Sequence, residues 1–407
     1  MQITEKKVSV LSGGLCAVEG VETNGIHTGF KAQDKDLALI YFPDGATVTG
    51  VFTRNKVKAH SVLYDMEMLK NFTNFKAILV NSGNANACNG LTGERDVHTM
   101  TDALAHKLNI DAHEVLVSST GVIGEPMNLQ PFYSGLDTLV SGLKTDDSTS
   151  AAEAIMTTDT IPKQLSFEAE IGGETVHFGA MIKGAGMIHP NMGTMLGYIV
   201  TDAGLPQDAL NTALKSATDD SFNVMTVDGD TSTNDTVLLA STNKVMLDES
   251  HLDEFTAVLT AMCRKLSQMI ARDAEGATKF VTVNVVNAAA KNDAVSVAKT
   301  VATSSLVKTA VYGQDANWGR VIMAIGNSDA ETLDPNTITI KFAAGGDDVL
   351  VCHEGLAVPF DEGHAYNILS NTDVEIFIDL NAGEYSSQVW TCDMSVDYVK
   401  INADYRS

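Results

Sequence analysis

The chain has 407 residues, 44% of them apolar and 19% charged, and carries a net charge of −25 from 27 basic and 52 acidic side chains. That length accommodates two domains, or one large two-lobed domain, around a sizeable core. The acidic balance repels nucleic acid and anionic lipid, so phosphate-backbone and membrane-surface binding are excluded as expected functions. Five cysteines (Cys16, Cys88, Cys263, Cys352 and Cys392) are scattered without a CxxC pair, which argues against a zinc knuckle or a disulfide framework. Reduced thiols in a cytoplasm account for them. The opening MQITEKKVSVLSGG lacks the apolar stretch of a signal peptide, and no run approaches the roughly eighteen apolar residues that cross a bilayer. A soluble intracellular protein is expected.

The first part reads as strands and turns. Leu37–Phe42 and Thr47–Thr53 flank Pro43-Asp44-Gly45, a turn signal. Residues 76–80 (KAILV) form a short apolar strand that ends in the loop NSGNANAC, residues 81–88. That loop either presents amides to a ligand or satisfies its own backbone as an Asx-rich turn. Val97, Met100, Leu104 and Leu108 fall at helical spacing. Val115–Val117 then runs into Ser118-Ser119-Thr120-Gly121-Val122-Ile123-Gly124. A Thr-Gly turn after a strand can aim a hydroxyl and a backbone N–H at one point, which are the donors an oxyanion hole requires. Leu136, Leu139, Val140 and Leu143 mark a further helix, and Ser148 stands where it could cap the next, over Ala151 to Met156. That helix leads into the hydroxyl cluster Thr157-Thr158-Asp159-Thr160 before Pro162.

Residues 166–183 alternate on both sides of Gly172-Gly173, a hairpin that delivers the chain to KGAGMIHPNMGTMLGYIVTD, residues 183–202. Small residues there let backbone approach backbone or ligand closely. Thr194 stands where this segment meets an apolar run, Met195 to Val200, that reads as a buried helix or strand. Read alone, the stretch is either a Gly-rich turn before a core element or the seat of a nucleophile. A threonine whose preceding bond is cut gains an α-amine of pKa about 7.7–8.0, which can take its own hydroxyl proton.

Downstream, Pro206 opens a helix with Leu210, Leu214 and Ala217 on one face. The loop VDGDTSTNDT, residues 227–236, lacks the twelve-residue calcium pattern and its closing Glu, so it reads as a hydrogen-bonded loop near the site, with no metal. The longest helix signal runs from Leu252 to Met269 and is followed by Glu275, which is either plain surface or a contact for a substrate amine. Phe280–Val286 reads as a strand, and Asp293–Ala302 and Val321–Ile325 as helices. Thr337–Phe342 and Val374–Leu380 read as half-buried strands. The apolar residues of the last stretch, Tyr398 to Ser407, are expected to pack back on the body. Ten histidines are spread singly, and His189 reads as structural or peripheral.

The stretches NSGNANAC, SSTGVIGEP, TTDTIPK, KGAGMIHPNMGTML, VDGDTSTNDT, RDAEGATK, GQDANWGR and INADYRS together resemble, in order and over nearly the whole chain, the glutamate N-acetyltransferase family. It is also called ornithine acetyltransferase, of the arginine pathway. The resemblance implies a layered α/β sandwich of αββα type, a self-cleaving enzyme with an N-terminal threonine nucleophile, and not a Rossmann domain. It implies transfer of acetyl from N2-acetyl-L-ornithine to L-glutamate by a ping-pong reaction, with acetyl-CoA as a second donor in some members and no cofactor. It places self-cleavage between Gly193 and Thr194, making an α chain of residues 1–193 and a β chain of residues 194–407. It makes Thr194 the nucleophile, gives Thr120 and Gly121 the oxyanion hole, and puts substrate contacts at Thr157, Lys183, Thr194, Glu275, Asn402 and Ser407. The two chains are expected to stay together and to assemble as a heterotetramer of two α and two β.

Departures from the family pattern are Gly193, where Ala is usual, His189-Pro190, and the ending Arg406-Ser407, where Thr-Thr is frequent. Two other classes compete: an N-terminal-nucleophile amidase or aminopeptidase with water as acceptor, and a binding protein whose Gly-rich segment is only structural. Glutamate-dependent release of ornithine separates the first from the transferase, and a single uncut band on a denaturing gel favours the second.

Overall fold

The computed structural model describes residues 8–189 and 195–404. Gly193, Thr194 and Ser407 therefore lie outside the described residues. A nine-stranded sheet holds β1 (Val8–Leu11), β2 (Glu22–Ile26), β3 (Leu37–Phe52), β4 (Asn74–Asn84), β5 (Val115–Val122), β6 (Lys163–Ile171), β7 (Glu174–Lys183), β8 (Leu196–Gly204) and β9 (Thr236–Met246). Its order is β1-β6-β7-β8-β9-β3-β4-β5, with β2 added beside β3. A second sheet holds β10 (Phe280–Ala288), β11 (Thr339–Ala344), β12 (Asp347–His353), β13 (Leu356–Ala357), β14 (Asp373–Asp379) and β15 (Tyr385–Cys392). The α-helices are α1 (His60–Asn71), α2 (Gly90–Leu108), α3 (Gln130–Ser141), α4 (Thr149–Ala154), α5 (Gln207–Asp219), α6 (Leu252–Arg272), α7 (Lys291–Thr303), α8 (Ser305–Tyr312), α9 (Trp318–Gly326), α10 (Glu362–Leu369) and α11 (Val396–Asp404).

The large sheet curls. Tyr198 of β8 lies beside Ser118 of β5 although three strands separate theirs in the ladder. The inner face so formed buries Ile78, Val80 and Leu116 from one end with Met181, Leu196 and Tyr198 from the other. Outside, α2 and α3 cover the β3–β5 end through Leu104, Phe132 and Leu139. On the other end α5 and α6 cover β6 to β9 through Leu210, Leu214, Phe255 and Leu259. The result is a layered α/β sandwich with sheet between helices, as the resemblance implies. The apolar spacing of α6 buries Phe255, Leu259, Met262, Leu266 and Ile270 on one face, which also meets the second sheet at β15.

Local chemistry explains most elements. Every residue of β8 is buried, so its apolar run forms a central strand rather than a helix. Gly172 and Gly173 take φ of 62° and 87°, the positive pair that a two-residue hairpin needs between β6 and β7. Pro206 stands at the start of α5, and Asn317 caps α9 by accepting from the Arg320 N–H. Among the described residues no helix is long and apolar enough to cross a membrane.

Three expectations are corrected. Pro43-Asp44-Gly45 does not reverse the chain: β3 is one strand, and residues 42–45 bulge between the Tyr41–Ala77 and Ala46–Phe75 pairs, with Gly45 at φ 82°. Thr120-Gly121 is not a turn either, because parallel pairing with Ser82 and Gly83 carries β5 on to Val122. The C-terminal helix α11 does not dock by its apolar side chains. Val396, Val399 and Ile401 are exposed, and its hold on the body is polar, through Tyr398 and Asn402.

Candidate active site

One cavity gathers Thr120, Gly121, Thr157, Lys183, Glu275 and Asn402. These are all the substrate and oxyanion residues expected from the sequence that fall among the described residues. They arrive from the end of β5, the segment after α4, the end of β7, the turn after α6, and α11. Thr194, Gly193 and Ser407 lie outside the described residues. His189 does not line the cavity; its Nδ1 is 3.0 Å from Thr226 Oγ1, and burial together with the Lys299 charge pushes its pKa down to about 4.

Thr120 is 8% exposed, and its neighbour Gly121 has φ 129°. A Cβ at Gly121 would fall 2.3 Å from the Gly83 carbonyl carbon, so the close β4–β5 approach requires glycine there. This strand end is fixed from across the curl by Asn234. Its Nδ2 donates to Ser119 O at 2.7 Å and Ala85 O at 2.6 Å, while its Oδ1 accepts from Thr233 Oγ1. The NSGNANAC loop is thus tied inward as well as satisfied by itself, through Asn84 Oδ1 accepting from Asn86 N.

Lys183 is half-buried, and its ammonium has no hydrogen bond or ion pair among the described residues. Burial lowers its pKa, and the Asp159 and Asp235 carboxyls oppose that fall. An ammonium so placed is a compact positive charge for a carboxylate-bearing ligand. The strand end beneath it is anchored by a buried ion cluster. Lys163 Nζ lies 2.7 Å from Asp159 Oδ1 and 2.5 Å from Asp273 Oδ2, and Asp159 also accepts from Gly184 N.

The hydroxyl cluster after α4 divides. Thr157 and Thr158 line the cavity, whereas Thr160 donates to Asp273 and so belongs to the ion cluster. Glu275 is 8% exposed, not plain surface. Its N–H donates to Ala185 O, its Oε2 accepts from Asn402 Nδ2 at 2.8 Å, and a Cβ on Gly186 would meet its carboxylate at 2.3 Å. Glycine at 186 is therefore what lets the carboxylate stand in the wall.

The 227–236 loop is near the site, as expected, and does two jobs. Asp228 accepts from Met187 N at 2.6 Å and Ile188 N at 2.9 Å, holding Met187 at φ 54°. Ser232, Asn234 and Asp235 line the cavity, and none was singled out from the sequence; only the polar density of VDGDTSTNDT pointed there. Among the described residues no group of three His, Cys, Asp or Glu side chains could hold a metal ion.

Fold and site define a layered α/β protein in which a strand end carrying Thr120 and Gly121 shares a small cavity with the Lys183 ammonium and the Glu275 carboxylate. The ArgJ family model matches residues 22–407, and the chain belongs to that family. It is similar to the arginine biosynthesis bifunctional protein ArgJ of Caldanaerobacter subterraneus subsp. tengcongensis, 41% identical over 406 residues, covering 98% of this chain and 100% of that one. It is 40% identical to the protein of the same name from Bacillus subtilis, with full coverage of both. A crystal structure of arginine biosynthesis bifunctional protein argJ from Bacillus halodurans is 38% identical, covers 46% of this chain and 97% of that one, and superposes with a TM-score of 0.44.

Proposed function

We propose that this protein moves the acetyl group of N2-acetyl-L-ornithine to L-glutamate through an acetyl-Thr194 ester, after cutting itself between Gly193 and Thr194. The observation that carries this reading is the convergence of Thr120, Gly121, Thr157, Lys183, Glu275 and Asn402 on one cavity from five separate parts of the chain. In the first half-reaction the Thr194 hydroxyl adds to the acetyl carbonyl, and its proton passes to the Thr194 α-amine. Thr120 and Gly121 stabilise the tetrahedral oxyanion, and loss of one such donor typically costs roughly 10²- to 10³-fold in rate. The C–N bond then breaks and the proton goes to the departing ornithine nitrogen. Glutamate, as the free amine, reverses these steps and leaves with the acetyl group. Lys183 pairs with the α-carboxylate that both amino acids share.

In this reading acetyl-CoA is a second acetyl donor to be assayed, no cofactor is required, and the two cut chains assemble as two α and two β in the cytoplasm. Mass spectrometry of purified protein tests the core of it. Two fragments meeting at Thr194, with labelled acetyl on the second after incubation with labelled acetylornithine, are expected. Release of ornithine should require glutamate; release without it assigns the hydrolase instead. A Thr194→Ala protein that still splits and still transfers acetyl would end both readings.

A further inference from the structure

The cavity wall holds a carboxyl that the proposed chemistry leaves unused. Asp235 is 2% exposed, lines the cavity, and its Oδ2 is buried without a hydrogen-bond partner among the described residues. A buried acceptor of this kind costs stability unless something donates to it, so an unmatched one in a ligand cavity is a mark of ligand contact. Its other contacts are Ser232 and Thr53, and the positive charge acting on it is that of Lys183.

The register of the sheet fixes where it stands. Lys183 of β7 pairs with Leu196 of β8, and Leu196 pairs with Thr236 of β9, so Asp235 sits one residue off the end of the row that starts at Lys183. Its other neighbour, Asn234, bonds Ser119 O, directly before Thr120. The Asn234-Asp235 pair thus lies between the Thr120-Gly121 strand end and the Lys183 ammonium. An N-acetylated α-amino acid has its groups in the order acetyl carbonyl, α-nitrogen, α-carbon, carboxylate. With the carbonyl at Thr120-Gly121 and the carboxylate at Lys183, the nitrogen falls between them.

We propose that Asp235 touches the substrate, its free Oδ2 accepting a hydrogen bond from the α-nitrogen whose bond to acetyl is broken or made. This rests on the acetyl-transfer reading above. Both amino acids present the same nitrogen at the same place, as the amide N–H of acetylornithine and the amine N–H of glutamate, so one acceptor serves both half-reactions. Burial pushes the Asp235 carboxyl well above the usual carboxylate range, which fits a group whose partner arrives with the substrate.

The test compares wild type with Asp235→Ala and Asp235→Asn by two isotope exchanges, labelled ornithine into acetylornithine and labelled glutamate into acetylglutamate. Removing the acceptor with Ala should lower kcat/KM of both exchanges by the same factor, about 10- to 100-fold, the cost of leaving a buried donor unpaired. Asn, which keeps an oxygen of the same shape, should recover part of it. Unchanged exchange in both variants, or loss of one exchange only, overturns the proposal. Should the variants fail to fold, wild type alone decides, using N2-methyl-N2-acetylornithine, which keeps the amide bond and its leaving nitrogen but has no N–H to donate. Use of it at least about tenfold poorer than acetylornithine is expected, and use as good or better overturns the assignment. Failure of wild type to catalyse either exchange would instead remove the acetyl-transfer reading itself.

Discussion

Asn402 of α11 donates from Nδ2 to Glu275 Oε2 at 2.8 Å, a bond between residues 127 positions apart that closes one side of the cavity. The same Nδ2 also reaches the Tyr398 carbonyl at 3.1 Å, one turn back in α11. The Glu275 backbone is held independently by Ala185. Asn402→Ala should therefore free the carboxylate without unseating the turn. The expected result is a rise in KM for both amino acids of about tenfold, the low end for a hydrogen bond to a charged group, with kcat moving less. Steady-state kinetics at saturating and limiting substrate separate the two effects, and the melting temperature should hardly move.

Asn234 is the structural complement on the opposite wall. Its two donated bonds, to Ser119 O and Ala85 O, hold the end of β5 to the NSGNANAC loop across the curl of the sheet. Asn234→Ala leaves two buried carbonyls unpaired, a cost of about 2 kcal/mol or more. It also loosens Thr120-Gly121, so kcat should fall at least about tenfold while KM changes little, since oxyanion donors act on the transition state. Equal losses in kcat and KM would mean that the loop, not the oxyanion site, depends on this residue.

The two threonines at 157 and 160 differ in what they touch. Thr160 donates to Asp273 inside the ion cluster, and Thr157 faces the cavity. Thr160→Val is expected to lower the urea midpoint, with kinetic constants close to wild type in the surviving folded protein. Thr157→Val should do the reverse, raising KM and leaving the midpoint in place. A pair of variants that exchanged these phenotypes would reverse the assignment of the substrate contact.

Acid sensitivity follows from the ion cluster. Burial alone would raise the Asp159 carboxyl, but Lys163 and Lys183 outweigh it and hold the pKa below the ordinary aspartate value. A depressed folded-state pKa means that the unfolded chain takes up the proton first as pH falls. The stability it contributes is complete above about pH 3.9 and is lost as pH drops through the folded value. Urea midpoints measured from pH 5 down to pH 3 should fall steeply for wild type and less steeply for Asp159→Asn. Lys163→Met, which leaves Asp159 and Asp273 buried without their cation, should cost about 3–5 kcal/mol at neutral pH.

Much of this is legible in the amino-acid sequence. The β6–β7 hairpin followed from Gly172-Gly173, and α6 from apolar spacing that the structure buries residue by residue. Thr120-Gly121 and Thr194 stand out by local pattern as well as by resemblance, whereas Thr157, Lys183, Asn402 and Ser407 follow from the resemblance alone. Nothing in the spacing of Glu275, for instance, distinguishes it from a surface glutamate until Gly186 and Asn402 are seen against it. Two of the three corrected elements, Pro43–Gly45 and Thr120-Gly121, were hidden for one reason, since strand pairing from distant residues decided them. Pro43-Gly45 has turn composition, yet β4 aligns the chain on both sides of it into one strand. Asn234 and Asp235 escaped because a polar loop gives no sign of which side chains turn inward, and here the inward ones bridge the two ends of a curled sheet.

Strands β8 and β9 lie between β7 and β3, hydrogen-bonded on both flanks to strands that precede residue 189. A break anywhere between His189 and Met195 would thus nick the molecule without dividing it. The two pieces would share one interior and lose it together, in a single calorimetric transition. Neither fragment, made alone, would own a complete set of neighbours, so the proposed cut at Thr194 is expected to follow folding rather than precede it.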